Sequence, residues 1–161
     1  MKVKRRSGMD FKCTKDVSPQ LTTLSISGYV NEHAKFPPVE TAPAIKIDLK
    51  AVTGLNSVGT RSWLVWVKNS LPDVPITIVN APTLFVKMFG EVQGTLSPKI
   101  RVDSFLVPYY SDETGERRDV LFERGKQFDN NGQVNAPDLK DTAGHKLELD
   151  VLPNFFNFLK V

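Results

Sequence analysis

Residues 47–63, with the sequence IDLKAVTGLNSVGTRSW, decide the fold because they join a buried strand to an amphipathic helix. The run AIKIDL at residues 44–49 alternates two isoleucines with Lys46 and Asp48, which predicts a central strand with one apolar face. We expect about seven loop residues after this strand, and then a helix that begins at Ser57. The chemical role of Ser57 is therefore the main question that the sequence raises.

The predicted helix carries one wide apolar stripe and ends before Pro72. We expect Trp63 to face the sheet and Trp66 to lie at the edge of the stripe, partly exposed. The residues of the stripe follow a helical spacing of i, i+4, i+7 and i+11: Thr60, Leu64, Val67 and Leu71.

Further strands and one more helix are predicted on both sides of this unit. The runs FKCTKDV and LTTLSISGYV predict two strands near the start, and PITIV predicts a third short one. The segment APTLFVKMFGEV predicts a helix with Pro82 near its first position and Gly90 at its close, and KIRVDSFLV predicts a strand that ends at Pro108. This order predicts an α/β fold, a mixed sheet with helices packed on one face.

The character of the chain changes after Pro108. We expect a β-hairpin with its turn at residues 112–115, then an exposed polar loop with a turn at Asn131 and Gly132. A strand in HKLELDV and a short helix in PNFFNFLK follow, and the helix is expected to dock Phe155, Phe156 and Leu159. The predicted organisation is a basic arm at 1–9, a main domain at 10–108 and a β-rich C-terminal extension at 109–161.

The composition is that of a soluble globular protein, with 161 residues, 40% hydrophobic residues and 24% charged residues. No apolar run approaches the roughly 18 residues of a membrane span. Cys13 is the single cysteine, which excludes an internal disulfide and favours a reducing cytoplasm.

The basic residues concentrate at the N-terminus. The net charge is +3, and four of the positive charges lie in the first six residues, so residues 7–161 carry about −1. This distribution favours a solvated basic tip over a nucleic-acid or acidic-lipid contact. The four residues are Lys2, Lys4, Arg5 and Arg6.

Two catalytic or nucleotide patterns fit the region of Ser57 poorly. A phosphate-binding loop would need lysine at position 60, where the chain has Thr60. A nucleophile elbow would need glycine at position 55, where the chain has a leucine, and Val58 crowds the strained turn. A serine hydrolase that uses Ser57 and His145, with Asp119 or Asp129 to orient the histidine, remains a further alternative.

A helix-capping role fits Ser57 better. Its side chain is expected to accept a hydrogen bond from the first helical turn, so that Ser57→Ala would cost about 1 kcal/mol of stability. Asn56 is another suitable capping residue, and Gly59 would allow close approach of another backbone segment. A serine at this place is also a possible phosphorylation site, because the helix dipole stabilises added negative charge.

Four segments resemble the STAS domain, the fold of bacterial anti-sigma-factor antagonists and of the cytoplasmic tails of sulfate transporters. They are LSISGYVNE, IKIDLKAVTGLNSVGTRSWLVWV, PITIVNAPTLFVKMF and RVDSF, within residues 16–108. The resemblance implies a mixed sheet with helices on one side. The family's Asp-Ser-Ser-Gly pattern corresponds to Asn56, Ser57, Val58 and Gly59, so the usual phosphoacceptor position holds a valine that cannot take phosphate.

The resemblance implies a non-catalytic regulatory module without a cofactor, which docks a protein partner through the loop and helix start. The implied contact residues are Lys50, Asn56, Ser57, Val58, Gly59 and Arg61. The alternative that the resemblance leaves open is a nucleotide- or lipid-binding module that uses the same loop.

The C-terminal extension resembles a zinc ribbon that has lost its cysteines. Ser111 and Thr114 occupy one candidate ligand pair, and Leu139 and Thr142 occupy the other. Hydroxyl groups do not replace the thiolates that hold structural zinc, so we expect no metal. Hydrophobic packing would then stabilise this part, through Phe122, Leu147, Leu149, Phe155, Phe156 and Leu159.

Overall fold

The computed structural model describes residues 10–160 and contains two β-sheets and two α-helices. The basic arm predicted at residues 1–9 lies outside the described residues. The first sheet has the order β1-β2-β3-β4-β5, in which β1 is antiparallel to β2 and the remaining pairs are parallel. Its elements are β1 Lys12–Val17, β2 Thr22–Val30, β3 Ile45–Leu55, α1 Ser57–Asn69, β4 Ile76–Val79, α2 Thr83–Glu91 and β5 Ile100–Val102. The predicted mixed α/β class is confirmed.

One face of the first sheet is buried and the other is partly open to solvent. In β3 the side chains of Ile45, Ile47 and Leu49 are buried, whereas Lys46 and Asp48 between them are half-buried. The same alternation runs through β2 and β4. The period of two therefore predicted correctly which residues of this sheet form the core.

Strand β3 is longer than predicted and leaves no seven-residue loop. It continues through Gly54 to Leu55, so that only Asn56 separates the strand from α1. Gly54 pairs with Tyr29 of β2, and a side chain at position 54 would collide with the tyrosine ring. A glycine inside a strand suggests an interruption, but here the ring of a neighbouring strand covers it.

Helix α1 begins at Ser57 as predicted, but its buried face is rotated relative to the predicted stripe. The buried residues are Gly59, Trp63, Trp66 and Val67. The prediction that Trp66 is partly exposed is wrong, since only 2% of it is accessible. Its indole Nε1–H donates a hydrogen bond of 2.7 Å to the carbonyl of Pro37, and Phe36 stacks on the ring at 4.8 Å. The segment between β2 and β3 therefore covers this side of the helix.

Helix α2 follows the prediction closely at its start and less closely at its end. Pro82 occupies the N-cap position, and the helix continues past Gly90 to Glu91, so this glycine does not close the helix. Phe85 packs edge-on against Trp63 of α1, with ring centroids 5.1 Å apart. The two helices thus share one aromatic core above the first sheet.

The strand predicted to end at Pro108 is divided in two by Asp103. Strand β5 ends at Val102, and β6 spans Ser104–Tyr110 in the second sheet. The backbone N–H of Asp103 donates to the carbonyl of Ile78 at 2.8 Å, which holds the chain against β4 at the crossing point. Strand β6 therefore crosses the boundary that the sequence suggested at residue 108.

The second sheet has the order β7-β6-β9-β8. Its further strands are β7 Arg117–Glu123, β8 Leu139–Lys140 and β9 Lys146–Leu149. Strands β6 and β7 form the predicted hairpin, and Gly115 adopts a positive φ of 71° in its turn. The polar stretch after β7 is only partly the predicted exposed loop, because Phe128 within it is buried.

The C-terminal 3₁₀ helix, Asn157–Lys160, joins the two sheets into one core. Phe158 is buried and lies between Phe89 of α2 and Phe105 of β6, with ring centroids 6.2 and 5.0 Å apart. The predicted docking residues are partly correct, since Phe155 is buried but Phe156 and Leu159 are half-buried. Leu149, predicted to pack in the extension, is 36% exposed.

Candidate functional site

Asn56, and not Ser57, caps the N-terminus of α1. The backbone of Asn56 is extended, and its side-chain Oδ1 accepts a hydrogen bond of 2.8 Å from the N–H of Gly59. Ser57 is the first helical residue, and its side chain is exposed. The prediction of a Ser57 cap was therefore wrong by one position, because β3 extends to Leu55 and Asn56 is the first residue free of the strand.

Backbone contact with β2 fixes where α1 begins. The N–H of Asn56 donates to the carbonyl of Val30 at 3.1 Å. Gly59 packs against the same carbonyl group, and a methyl group at position 59 would overlap its oxygen. Gly59 is thus buried and serves the predicted close approach of a backbone segment, so it does not belong to the accessible surface.

A carboxylate already lies beside the helix start. Oε2 of Glu32 accepts a hydrogen bond of 3.0 Å from Nδ2 of Asn56. The hydrogen bond from its own backbone N–H and the bond from Asn56 lower the pKa of Glu32, so this side chain is ionised at neutral pH. The cap residue is consequently held from both sides, by the helix and by Glu32.

The structure separates Lys50 from the other predicted contact residues. Lys50 is exposed within β3, where its N–H donates to Oδ1 of Asp48 at 2.9 Å. Leu55 lies five positions further along the extended strand, a span of about 17 Å. Ser57, Val58 and Arg61 can share a partner contact, whereas Lys50 lies away from them.

The outward face of α1 exposes apolar side chains. Val58 is 48% exposed and Val65, two helical turns later, is 52% exposed. The exposed Arg61 lies between them and forms no ion pair with any residue of the described chain. We call Val58, Arg61 and Val65 the α1 outer face. The sequence prediction missed Val65, although its i+7 spacing from Val58 is visible in the sequence.

A shallow groove borders the α1 outer face on the side of the segment between β2 and β3. Its volume is about 320 Å³, and Arg61 and Val65 form one wall. Ala34 and Phe36 lie on the opposite wall, and Trp66 also lines it. Arg61 and Val65 of the α1 outer face therefore adjoin a concave surface.

The hydrolase arrangement is not formed around Ser57. No hydrogen bond joins Ser57 to His145 within residues 10–160, and His145 lies in the turn between β8 and β9 of the second sheet. Oδ1 of Asp129 accepts hydrogen bonds from the N–H groups of Asn131 and Gln133 in its own loop, at 2.9 Å each. Asp129 thus stabilises a turn and does not orient the histidine.

The two turns that resemble zinc knuckles meet, but a carboxylate joins them. Asp141 is 6% exposed, and its Oδ2 accepts a hydrogen bond of 2.7 Å from the hydroxyl of Thr114 in the other turn. Its Oδ1 accepts from the backbone N–H groups of Ala143 and His145, at 2.9 and 2.8 Å. Asp141, which lies between the predicted positions Leu139 and Thr142, is the residue whose side chain binds Thr114.

The contact between the turns is reciprocal. Oε1 of Glu116 accepts hydrogen bonds from the hydroxyl and the backbone N–H of Thr142, at 2.7 and 3.1 Å. Each turn therefore supplies a carboxylate to a threonine of the other. We call the four side chains of Thr114, Glu116, Asp141 and Thr142 the turn clasp.

Hydrogen bonding keeps the Asp141 carboxylate ionised. Burial disfavours its charged form, but bonds from Ser111, Thr114 and the backbone N–H groups of His145 and Ala143 outweigh burial and hold its pKa well below the usual range. The bonds from Thr142 similarly lower the pKa of Glu116. Within the described residues, no group of three or more His, Cys, Asp or Glu side chains has a metal-binding arrangement.

No protein-family model, curated protein or solved structure matches this chain. Among residues 10–160, no helix is both long and apolar enough to cross a membrane.

Proposed function

We propose that the chain is a non-catalytic protein-binding module of the STAS type, and that a regulatory protein partner docks on the α1 outer face. The observation that carries the proposal is the pair of exposed valines, Val58 and Val65, on the helix face opposite the buried tryptophans. Helices that bind in the groove of a partner use apolar anchors at positions such as i and i+7.

The fold of the first sheet supports this type of module. An antiparallel edge strand precedes four parallel strands, and the connecting helices lie over the buried face. The helix start that the resemblance associates with partner docking lies next to the exposed Val58. The side chain of Ser57 points into solvent at the first position of the helix, where a partner or a kinase could reach it.

Charge defines the chemistry of the partner. Arg61 and Lys68 are exposed on α1, and no acidic residue lies in its first turn. The ionised Glu32 beside Asn56 offsets the partial positive charge of the helix N-terminus, so the positive charge lies along the helix at these two side chains. A complementary partner surface would therefore present apolar side chains with acidic residues around them.

The test compares variants that place glutamate at apolar positions of similar exposure, on α1 and on α2. The double variant Val58→Glu and Val65→Glu, and the control Leu84→Glu on α2, are used as baits for capture from the native cell. Leu84 is 48% exposed, as is Val58, so the control introduces a carboxylate at a matched position on the other helix. We expect the wild type and the Leu84 variant to retain a partner that the double variant loses.

The same experiment includes Ser57→Asp. A carboxylate at the first helical position is compatible with the helix dipole, so melting temperature should not fall, while retention of an acidic partner should weaken. A partner retained equally by all four baits would contradict docking on the α1 outer face.

A further inference from the structure

A second concave site lies where the first sheet meets the C-terminal 3₁₀ helix. Its volume is about 380 Å³, within the range of small-molecule sites. We call it the seam groove and define it by an apolar wall and a polar wall. Leu96, Ile100, Phe158 and Leu159 form the apolar wall. The polar wall consists of Ser97, Arg101, Arg124 and Asn130.

The hydroxyl of Ser97 has an unsatisfied hydrogen-bonding capacity. Its Oγ is buried and has no hydrogen-bond partner within residues 10–160. It is the single side-chain oxygen or nitrogen of the described chain in this condition. A buried hydroxyl without a partner costs free energy, and rotation about χ1 that turns this hydroxyl into the groove would let it bind a polar group of a ligand.

Arg101 retains most of its donors. Its Nε and one terminal nitrogen bind the carboxylate of Asp103, at 2.8 and 3.2 Å. Since a guanidinium group has five N–H donors, three remain without an acceptor among residues 10–160. This side chain is 60% exposed, so these donors are accessible to a molecule in the seam groove.

Arg124 plays a different part, because its hydrogen bonds hold the polar wall together. Its Nε donates to Asp103 at 2.8 Å, and a terminal nitrogen donates to the carbonyl of Val102 at 2.7 Å. The other terminal nitrogen donates to Oδ1 of Asn130 at 3.3 Å, and the Asn130 amide N–H₂ has no acceptor in the described part of the chain. The polar wall therefore offers many donors and few acceptors.

The charge of the polar wall is also positive. Two guanidinium groups, Arg101 and Arg124, share the single carboxylate of Asp103. Guanidinium groups match carboxylate and phosphate oxygens in geometry and charge. The facing wall is apolar and cannot bind a second polar group.

We propose that the seam groove binds a small amphipathic anion, with its carboxylate or phosphate group at Arg101 and Ser97 and its hydrocarbon part against Phe158 and Leu159. This inference is independent of the α1 outer face. The proposed ligand is a free small molecule, because the volume of the groove matches that of small-molecule sites.

The experiment uses the full chain and four probes below their micelle-forming concentrations: octanoate, octyl phosphate, 1-octanol and acetate. Binding is followed by amide chemical shifts in NMR titrations. We expect octanoate and octyl phosphate to shift the amides of residues 96–101 and 157–160, with affinities at least roughly tenfold above those of octanol and acetate. Equal affinity for octanoate and acetate would show that the hydrocarbon chain does not bind the apolar wall, and it would overturn the proposal.

Two variants and one control test the assigned residues. Arg101→Gln should weaken octanoate roughly tenfold or more, and Ser97→Ala should weaken it roughly two- to tenfold. The Ser97 variant removes an unsatisfied hydroxyl, so its melting temperature should stay equal or rise, which separates ligand binding from stability. Arg117→Gln is the matched control, since Arg117 is a highly exposed arginine on β7 outside the groove.

Binding that Arg101→Gln and Arg117→Gln reduce equally would reveal a general charge effect and overturn the proposal. A fifth sample, vesicles of an anionic phospholipid, distinguishes the source of the ligand. Co-sedimentation with vesicles without any binding of free octanoate or octyl phosphate would also overturn it.

Discussion

Helices α1 and α2 both pack on the same sheet, but the rest of the chain covers their outer sides to different extents. The C-terminal 3₁₀ helix packs on α2 through the contact of Phe158 with Phe89, and β6 of the second sheet lies against the same helix. The α1 outer face has no such cover within the described residues and exposes Val58 and Val65. The chain therefore covers part of α2 with its own C-terminal segment, although Leu84 of that helix stays 48% exposed, whereas no such segment within residues 10–160 covers Val58 and Val65 of α1.

The starts of the two helices differ in the same way. The side chain of Asn56 caps α1, and Gly59 packs against the Val30 carbonyl. Pro82 at the start of α2 makes no side-chain capping bond, and Gly90 has open space around it. The start of α1 is therefore held by a side-chain cap and a backbone contact with β2, whereas α2 has no side-chain cap and follows Ala81, which is hydrogen-bonded to β6.

The largest expected effect comes from a methyl group at these two glycines. Gly59→Ala should destabilise the protein by about 3 kcal/mol or more, because the new group overlaps a backbone oxygen that cannot move aside. Gly90→Ala should instead stabilise it by about 0.5–1 kcal/mol, since alanine is the better helix former and the space is open. Denaturant unfolding of both variants measures the change in the free energy of unfolding. Equal changes in the two variants would contradict the difference between the two helices.

Loss of the turn clasp should loosen the second sheet, which covers α2. Asp141→Asn should lower the melting temperature at pH 7, because an amide cannot accept all the bonds that the carboxylate accepts. Asp119→Asn, at an exposed position of β7, is the control and should change little.

The pH dependence follows from the lowered pKa of Asp141. Its stabilising contribution is fully present above about pH 4, the ordinary aspartate value, and is lost as pH falls through the lower value of the folded state. The melting temperatures of the wild type and Asp141→Asn should therefore converge below about pH 4. A gap that stays constant down to acid unfolding would contradict the ionised clasp.

A smaller effect separates the two residues at the start of α1. Asn56→Ala should cost about 1 kcal/mol, because the N–H of Gly59 loses its capping acceptor. Ser57→Ala should stay within about 0.5 kcal/mol of the wild type, since the exposed hydroxyl caps nothing. Thermal unfolding of both variants measures this, and the reverse order would restore Ser57 as the cap.

Local patterns predicted the first sheet well because its strands are buried on one face only. Alternation in β3 and the end of α1 before Pro72 follow from periodicity and turn chemistry. The burial of Trp66 could not be predicted from the helix alone, because Phe36 and Pro37, distant in sequence, cover it. Gly54 likewise remains in a strand because Tyr29 lies over it.

The candidate sites were predicted less completely for the same reason. Asn56 and Val58 lie in a local motif, so the sequence identified the helix start. The polar stretch that holds Asp141 predicted an exposed loop, and only the approach of Thr114 from another hairpin buries its carboxylate. No sequence pattern predicts the unsatisfied hydroxyl of Ser97, because separate segments of the chain surround it.

Hydrogen–deuterium exchange on the protein with its captured partner tests partner docking on α1 most directly. We predict that the partner slows exchange across α1, residues 57–69, while α2, residues 83–91, exchanges at its rate in the free protein. The double variant Val58→Glu and Val65→Glu should show no slowing at any partner concentration that saturates the wild type. Slower exchange confined to α2 or to the second sheet, with α1 unchanged, would contradict docking on the α1 outer face.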